Sequence, residues 1–407
     1  MSVEEIRSQF PILGEKVYGR QLVYLDNAAT SQRPQSVVDK WTEMTLRSNA
    51  NIHRAVHKLA SDATDEYEST RDFVKDFLGA ESREEIIFTS GTTASLNLLA
   101  FSFGEAFVGE GDEILILQSE HHSDIVPWQM MCERKGAKVR MIPVDESGHI
   151  DLDNLARIVN STTRLTCVAQ ISNVLGLRNP VEEIVKICHS KGCMVSVDGA
   201  QGVVHSVVDV RKMDCDFYSF SGHKIFAAPG TGVLYGKKEL LEKMPPYMGG
   251  GEMIDTVTFE KTTYAPLPEK FEAGTQNIAG VPTLKPALAL AKDLRTDEVE
   301  LAQKQITQYM LDAIASDPRI TLYGMPRTLE EKVPLFSFTV EGVHHEDLAL
   351  ILDKMGIAVR SGQMCAEPIM DRYGVTGMLR CSFAPYNTLD EAVTFMTCLG
   401  KAIDMLI

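Results

Sequence analysis

The chain contains no uninterrupted apolar run of about 18 residues, the length a membrane-crossing helix needs. Positive charge is scarce: 40 Lys and Arg stand against 56 Asp and Glu, a formal net charge of −16. This balance argues against nucleic acid or an anionic membrane as the main partner, since both demand a basic face. It leaves room for a small basic pocket around an anionic ligand. Cysteine is sparse, eight in 407 residues, which excludes a disulfide scaffold and predicts free thiols in the cytoplasm. Residues 1–14 carry mixed charge with no apolar core, which predicts no secretory leader. There is no low-complexity segment and no internal repeat. The remainder, 44% hydrophobic and 24% charged, is ordinary for a folded globular protein.

Short β-rich runs alternate with helical stretches. Glu85–Thr89, Glu113–Leu117, Lys138–Ile142, Leu165–Gln170, Met194–Val197, Asp216–Ser219 and Thr231–Tyr235 read as strands. Ala94–Phe103, Ile125–Lys135, Leu152–Val159 and Val181–Lys191 read as the helices between them. Strand, crossover and strand at this spacing predict an α/β fold with a mostly parallel sheet, whose ligands bind beyond the carboxyl ends of the strands. Gly249 to Pro268 reads as an irregular connection, and Pro282 to Ser316 as helical. The pattern then changes: Pro334–Val340, Ile357–Arg360 and Met378–Phe383, with a helix over Asp347–Met355, predict a smaller α+β domain. The expected organisation is an N-terminal segment 1–20 packing with the small domain, a large domain 21–295 and a small domain 296–407.

The residues just after the strands carry the chemistry. Lys224 ends D-F-Y-S-F-S-G-H-K, in a turn that can desolvate its amine and let it form an imine with an aldehyde cofactor. A solvated surface lysine is the plain alternative. Asp198 ends M-V-S-V-D and can face a pyridinium nitrogen, or simply cap a helix. Gly91-Thr92-Thr93 opens a helix after a strand, where backbone amides and two hydroxyls either bind a phosphate or cap the helix. Together these three point to pyridoxal phosphate. His121, in S-E-H-H-S-D, can stack on such a ring and exchange protons. Neither the His121-His122 pair nor His53 with His57 has a third ligand at metal-binding spacing, so no metal is expected. Cys365, in R-S-G-Q-M-C-A-E-P near Arg360, differs from the other seven cysteines by its polar, flexible surroundings and can act as a nucleophile. Arg380, in a strand-like run, can clamp a carboxylate.

These motifs, with Y-L-D-N-A-A-T (24–30), N-I-H-R (51–54), I-S-N-V-L-G (171–176), V-D-G-A-Q-G (197–202) and F-E-A-G-T-Q-N (271–277), run along nearly the whole chain. In this the chain resembles the pyridoxal-phosphate-dependent cysteine desulfurases of the class V aminotransferase group, in their SufS-type branch, which includes selenocysteine lyases. The resemblance implies a fold type I homodimer that converts L-cysteine to L-alanine. It implies catalytic roles for Lys224, His121 and Cys365, the last as a persulfide carrier. It matches Thr92, Thr93, Asp198, Gln201, Ser221 and His223 to cofactor contacts, with Thr275 supplied by the neighbouring subunit. Ala28, His53, Asn173, Arg360 and Arg380 match substrate-holding positions. A SufE-like or SufU-like sulfur acceptor and a role in iron–sulfur cluster assembly are implied as well. The chain departs from the branch in Ala227-Ala228-Pro229-Gly230 after the lysine and in Gln363-Met364 before the cysteine. The other readings are another class V enzyme (an aminotransferase, an epimerase or a selenocysteine lyase), a non-enzymatic cofactor-binding assembly subunit, and a metal-dependent α/β enzyme. An aminotransferase would not need Cys365.

Overall fold

The computed structural model describes residues 2–407; Met1, the first residue of the expected N-terminal segment, lies outside them. Seven strands form the main sheet: β1 (Ile86–Thr89), β2 (Glu113–Leu117), β3 (Lys138–Ile142), β4 (Thr163–Ala169), β5 (Met194–Asp198), β6 (Phe217–Ser221) and β7 (Gly232–Gly236). Their order is β1-β7-β6-β5-β4-β2-β3. The β2–β3, β2–β4, β4–β5 and β5–β6 pairings are parallel, whereas β7 runs antiparallel to both β1 and β6. Six strands therefore point one way and β7 alone opposes them. Both faces are covered, as the continuous apolar runs require. Leu115 and Leu117 of β2 enter one buried core, while Ile114 and Ile116 enter another beneath Phe103 and Trp128.

The second sheet comprises β8 (Ile320–Tyr323), β9 (Leu335–Val340), β10 (Arg360–Gly362) and β11 (Met378–Ser382), in the antiparallel order β8-β9-β11-β10. Helices Asp297–Ala315 and Leu389–Leu406 cover it, burying Ile306, Met310, Phe395 and Leu399 against Phe336, Phe338 and Leu379. The second helix starts with a capping box between Thr388 and Glu391. Near the N-terminus, Arg7 pairs with Glu391 at 2.9 Å, and the Phe10 ring lies 4.6 Å from that of Tyr386.

Three local readings differ from the sequence pattern. The run Ile357–Arg360 is not one strand: Ile357–Ala358 pairs in parallel with Val23–Tyr24, while Arg360 begins β10. The chain breaks at Val359 because its two ends serve different sheets. The stretch Gly249–Pro268 contains an antiparallel hairpin, Ile254–Val257 with Thr262–Tyr264, whose exposed polar faces gave no apolar periodicity. The helical stretch from Pro282 is two helices, Leu284–Asp293 and Asp297–Ala315, the second restarted by Thr296 as N-cap. Among the described residues no helix is long and apolar enough to cross a membrane.

Candidate active site

A cavity of about 510 Å³ opens where the main strands end. Thr92 and Thr93 reach it from the segment after β1, His121 to Ser123 from after β2, Asn173 from after β4, Asp198 from the end of β5, and Ser221, His223 and Lys224 from the end of β6. Ala28, Arg360, Cys365 and Arg380 close it from the side of the second sheet.

One end is a cradle for an anion. Thr92 is the first residue of the 16-residue helix Thr92–Phe107, and its backbone N–H donates to Ser221 Oγ at 2.8 Å. The Thr92 and Ser221 hydroxyls also meet at 2.8 Å, and Thr93 Oγ1 lies 2.7 Å from Ser123 Oγ. The backbones below pass so closely that a Cβ on Gly232 would stand 2.4 Å from Gly91 Cα. Gly91 itself has φ +149°, a conformation open to glycine and strained for other residues. His223 Nδ1 lies 3.2 Å from Thr30 Oγ1, and burial pushes this imidazole down to about 4.

Lys224 sits in the short turn Gly222–Lys224. Burial lowers the pKa of its amine, opposed by the charge of Asp198; burial raises that of Asp198, opposed by Lys224. Asp198 is 6% exposed, and its Oδ1 accepts from Ala200 N at 2.7 Å. The two groups form no ion pair among the described residues, and both line the cavity, each within reach of the other's charge. His121 Nδ1 accepts from Ser123 N at 3.1 Å, which leaves Nε2 as its protonated nitrogen. Burial, then the charge of Lys224, push this ring down to about 4, so it is neutral near pH 7. Two buried carboxyls flank it in sequence. Glu120 Oε1 accepts from Ala169 N at 2.7 Å, and Asp124 Oδ1 from Trp128 Nε1 at 2.9 Å. Burial holds both well above the usual carboxylate range.

Arg380, on β11, is 3% exposed. Its Nη1 donates to the Asn173 carbonyl at 2.9 Å and its Nη2 lies 3.3 Å from Asp26 Oδ1. Its Nε is buried without a partner among the described residues, an open donor. Arg360 Nη2 lies 3.2 Å from the other Asp26 oxygen.

Cys365 is the exposed cysteine; six of the other seven are buried and Cys398 is intermediate. It follows β10 in a tight loop where Met364 and Cys365 both take left-handed backbone angles, φ +56° and +55°. Such angles strain a side-chain-bearing residue and persist only where surroundings impose them. The surroundings are visible. Met364 and Ala366 are buried in the large core, and the Met364 carbonyl accepts from Asn173 Nδ2 at 2.9 Å. The thiol-bearing residue stands out between two anchored neighbours.

A family model described as aminotransferase class-V matches residues 23–395. The chain belongs to that family. A probable cysteine desulfurase of Vibrio cholerae is 44% identical over 406 residues, covering 100% of both chains. A cysteine desulfurase of Escherichia coli is 42% identical over 401 residues, 98% of each chain. Among solved structures, the Escherichia coli cysteine desulfurase CsdA superimposes with a TM-score of 0.91 at 38% identity, covering 100% of each chain. The apo cysteine desulfurase of Thermococcus onnurineus gives 0.93 at 37%, over 99% of this chain and 98% of that one.

Three expected site residues of this family member do not line the cavity. Gln201, 3% exposed, donates Nε2 to the Ala28 carbonyl at 2.9 Å and so supports a residue that does line it. His53, with φ +69°, pairs with Glu68 Oε1 at 3.1 Å, which raises its pKa. Thr275 is exposed on the loop after Glu272. Sequence reasoning missed Asp26, His122, Glu120 and Asp124. All four lie inside quoted motifs. Asp26, His122 and Glu120 meet partners that are distant in sequence or are backbone groups, which no spacing discloses, whereas the four-residue step from Asp124 to Trp128 was a signal that could have been read. The class-V site as built can hold an anion at one end, an aldehyde at Lys224, a protonated ring nitrogen at Asp198 and a carboxylate at Arg380, with a thiol at the mouth.

Proposed function

We propose that the protein is a cysteine desulfurase that converts L-cysteine to L-alanine and takes the sulfur onto Cys365 as a persulfide. The observation that carries this reading is that Cys365 and Lys224 line one cavity, with an unpartnered Arg380 donor in the same wall. The relatives named cysteine desulfurase support it over full-length matches.

The donor set fits pyridoxal phosphate. The Thr92–Ser221 cradle, with Thr93 and His223, would take the phosphate; Lys224 would take the aldehyde, Asp198 the ring nitrogen and His121 the ring face. When bound, this cofactor supplies an electron sink for cleavage of the bond between Cα and its hydrogen. Arg380 binds the substrate carboxylate, with Asn173, Arg360 and Ala28 shaping that end. The Lys224 amine, biased toward its neutral form by burial, takes the Cα proton. His121, neutral and carrying its proton on Nε2, exchanges protons with the substrate. The Cys365 thiolate attacks the substrate sulfur. A sulfur–sulfur bond forms and the carbon–sulfur bond breaks, its electron pair staying with carbon. Protons from Lys224 and solvent complete alanine, so cysteine plus thiol gives alanine plus persulfide.

In the same reading the protein is a cytoplasmic homodimer, with Thr275 supplied to the partner's cavity and His53 a substrate-holding residue. The small domain 296–407 brings Cys365 to the large domain 21–295, with the segment 1–20 packed on the small one. A SufE-like or SufU-like acceptor removes the sulfur for iron–sulfur cluster assembly. The test is the purified protein with L-cysteine, with and without reductant, assayed for alanine and sulfide beside Cys365→Ala. Equal alanine and sulfide from the wild type with reductant, and neither from a still-yellow variant, supports the assignment. Normal turnover by the variant refutes it.

A further inference from the structure

Resting on the desulfurase reading, we propose that His122 is a positioning residue that clasps the Cys365 loop in its sulfur-accepting geometry. It holds the loop at two points, Cys365 itself and the second residue after it. Its backbone N–H donates to the Cys365 carbonyl at 2.7 Å. Its ring Nε2 accepts from the Glu367 backbone N–H at 3.0 Å. The second bond fixes the tautomer: Nε2 is bare, and the ring proton sits on Nδ1. The Glu367 carboxylate lies 3.8 Å from the same nitrogen, beyond hydrogen-bond distance.

The loop needs such a clasp. Two successive left-handed residues, Met364 and Cys365, are unfavourable without imposed contacts. Asn173 secures the residue before the thiol, and His122 secures Cys365 itself and the second residue after it. His122 adjoins His121, so one short segment, 121–122, presents a ring to the cavity floor and fixes the thiol at its mouth. Sulfur transfer demands in-line approach of the thiolate to the substrate sulfur. An error of about 1 Å in such a placement costs on the order of a hundredfold in rate. Binding of cysteine through Arg380 does not involve the clasp. Its loss therefore lowers kcat and spares KM.

The decisive variants are His122→Phe, which keeps the ring and the backbone donor but removes the acceptor, and His122→Gln, which restores an acceptor near the Nε2 position. Glu367→Pro removes the donor from the opposite side, at a helix position that suits proline, and serves if His122→Phe does not fold. Each holoenzyme is followed by alanine production from L-cysteine, by backbone deuterium exchange over 363–370 and by the rate of Cys365 alkylation with iodoacetamide. The expected result for His122→Phe and Glu367→Pro is a kcat about tenfold lower, as loss of one well-placed hydrogen bond implies, with KM within about twofold. Exchange quickens and the alkylation rate shifts, and His122→Gln returns all three toward wild type. Unchanged exchange and alkylation in both the Phe and the Pro variants would overturn the clasp, as would a Gln variant as impaired as Phe. If the wild type makes no alanine, the desulfurase reading fails by itself, and exchange and alkylation alone then judge the clasp.

Discussion

Asp26 lies 3.3 Å from Arg380 through one carboxylate oxygen. Its other oxygen holds Arg360 at 3.2 Å, so a single carboxylate balances two guanidinium groups at the cavity wall. Asp26→Asn leaves the buried Arg380 without its counter-charge. The expected loss is about 1–3 kcal/mol of stability, read by urea denaturation. A several-fold rise in KM for L-cysteine should accompany it, because Arg380 is no longer held in place. A variant with wild-type stability and KM would show that the pair does neither.

His121 and His223 are both pushed down to about 4 by burial, below the ordinary histidine value near 6.5. Between those values the unfolded chain binds more protons than the folded one. Stability therefore rises with pH from about 4 to 6.5 and is lost as pH falls through that window. Urea midpoints measured from pH 4.5 to 7.5 should climb, and less steeply in His121→Gln/His223→Gln. Parallel curves for the two proteins would refute the assignment.

Arg71 is fully buried and forks onto Glu272, Nη1 to Oε1 at 2.6 Å and Nη2 to Oε2 at 2.9 Å. The same carboxylate accepts from Phe88 N at 2.7 Å, and Arg71 Nη1 donates to the Ile86 carbonyl at 2.8 Å. This joins β1 to the loop that carries Thr275. Arg71→Met strands a buried carboxylate, at a cost of about 3–5 kcal/mol. Calorimetry should show a large fall in Tm; a shift of only a degree or two would mean the loop rearranges freely.

Gly232→Ala tests the cradle. The added Cβ would stand 2.4 Å from Gly91 Cα, a backbone atom that cannot swing aside. The expected penalty is about 1–3 kcal/mol from overpacking, together with weaker retention of pyridoxal phosphate on dialysis, read from the cofactor's absorbance. Full retention would place the phosphate elsewhere.

Much of the fold was legible because parallel strands buried on both faces are apolar runs that stop abruptly at functional polar residues. Asp198 and the segment holding Lys224 announce themselves in that way. The reversed direction of β7 was not legible, since Gly232–Gly236 is as apolar as its parallel neighbours. Nor was the pairing of Val23–Tyr24 with Ile357–Ala358, two-residue strands more than 300 positions apart. Lys224, Asp198, Cys365 and Arg380 were singled out by residue type and placement. Asp26 and His122 were not, because what they do is hold other residues.

The distribution of thiols has a practical side. Burial pushes the Cys132 thiol up to about 11, and Cys167, Cys215 and Cys381 are also raised inside packed cores. Folding thus acts as a set of protecting groups in the synthetic chemist's sense, masking most sulfurs and leaving Cys365 in the open. A reporter or cross-linker can be installed at the cavity mouth of the unmutated protein, and the number of further thiols that react with an alkylating reagent on unfolding would count how many masks have come off.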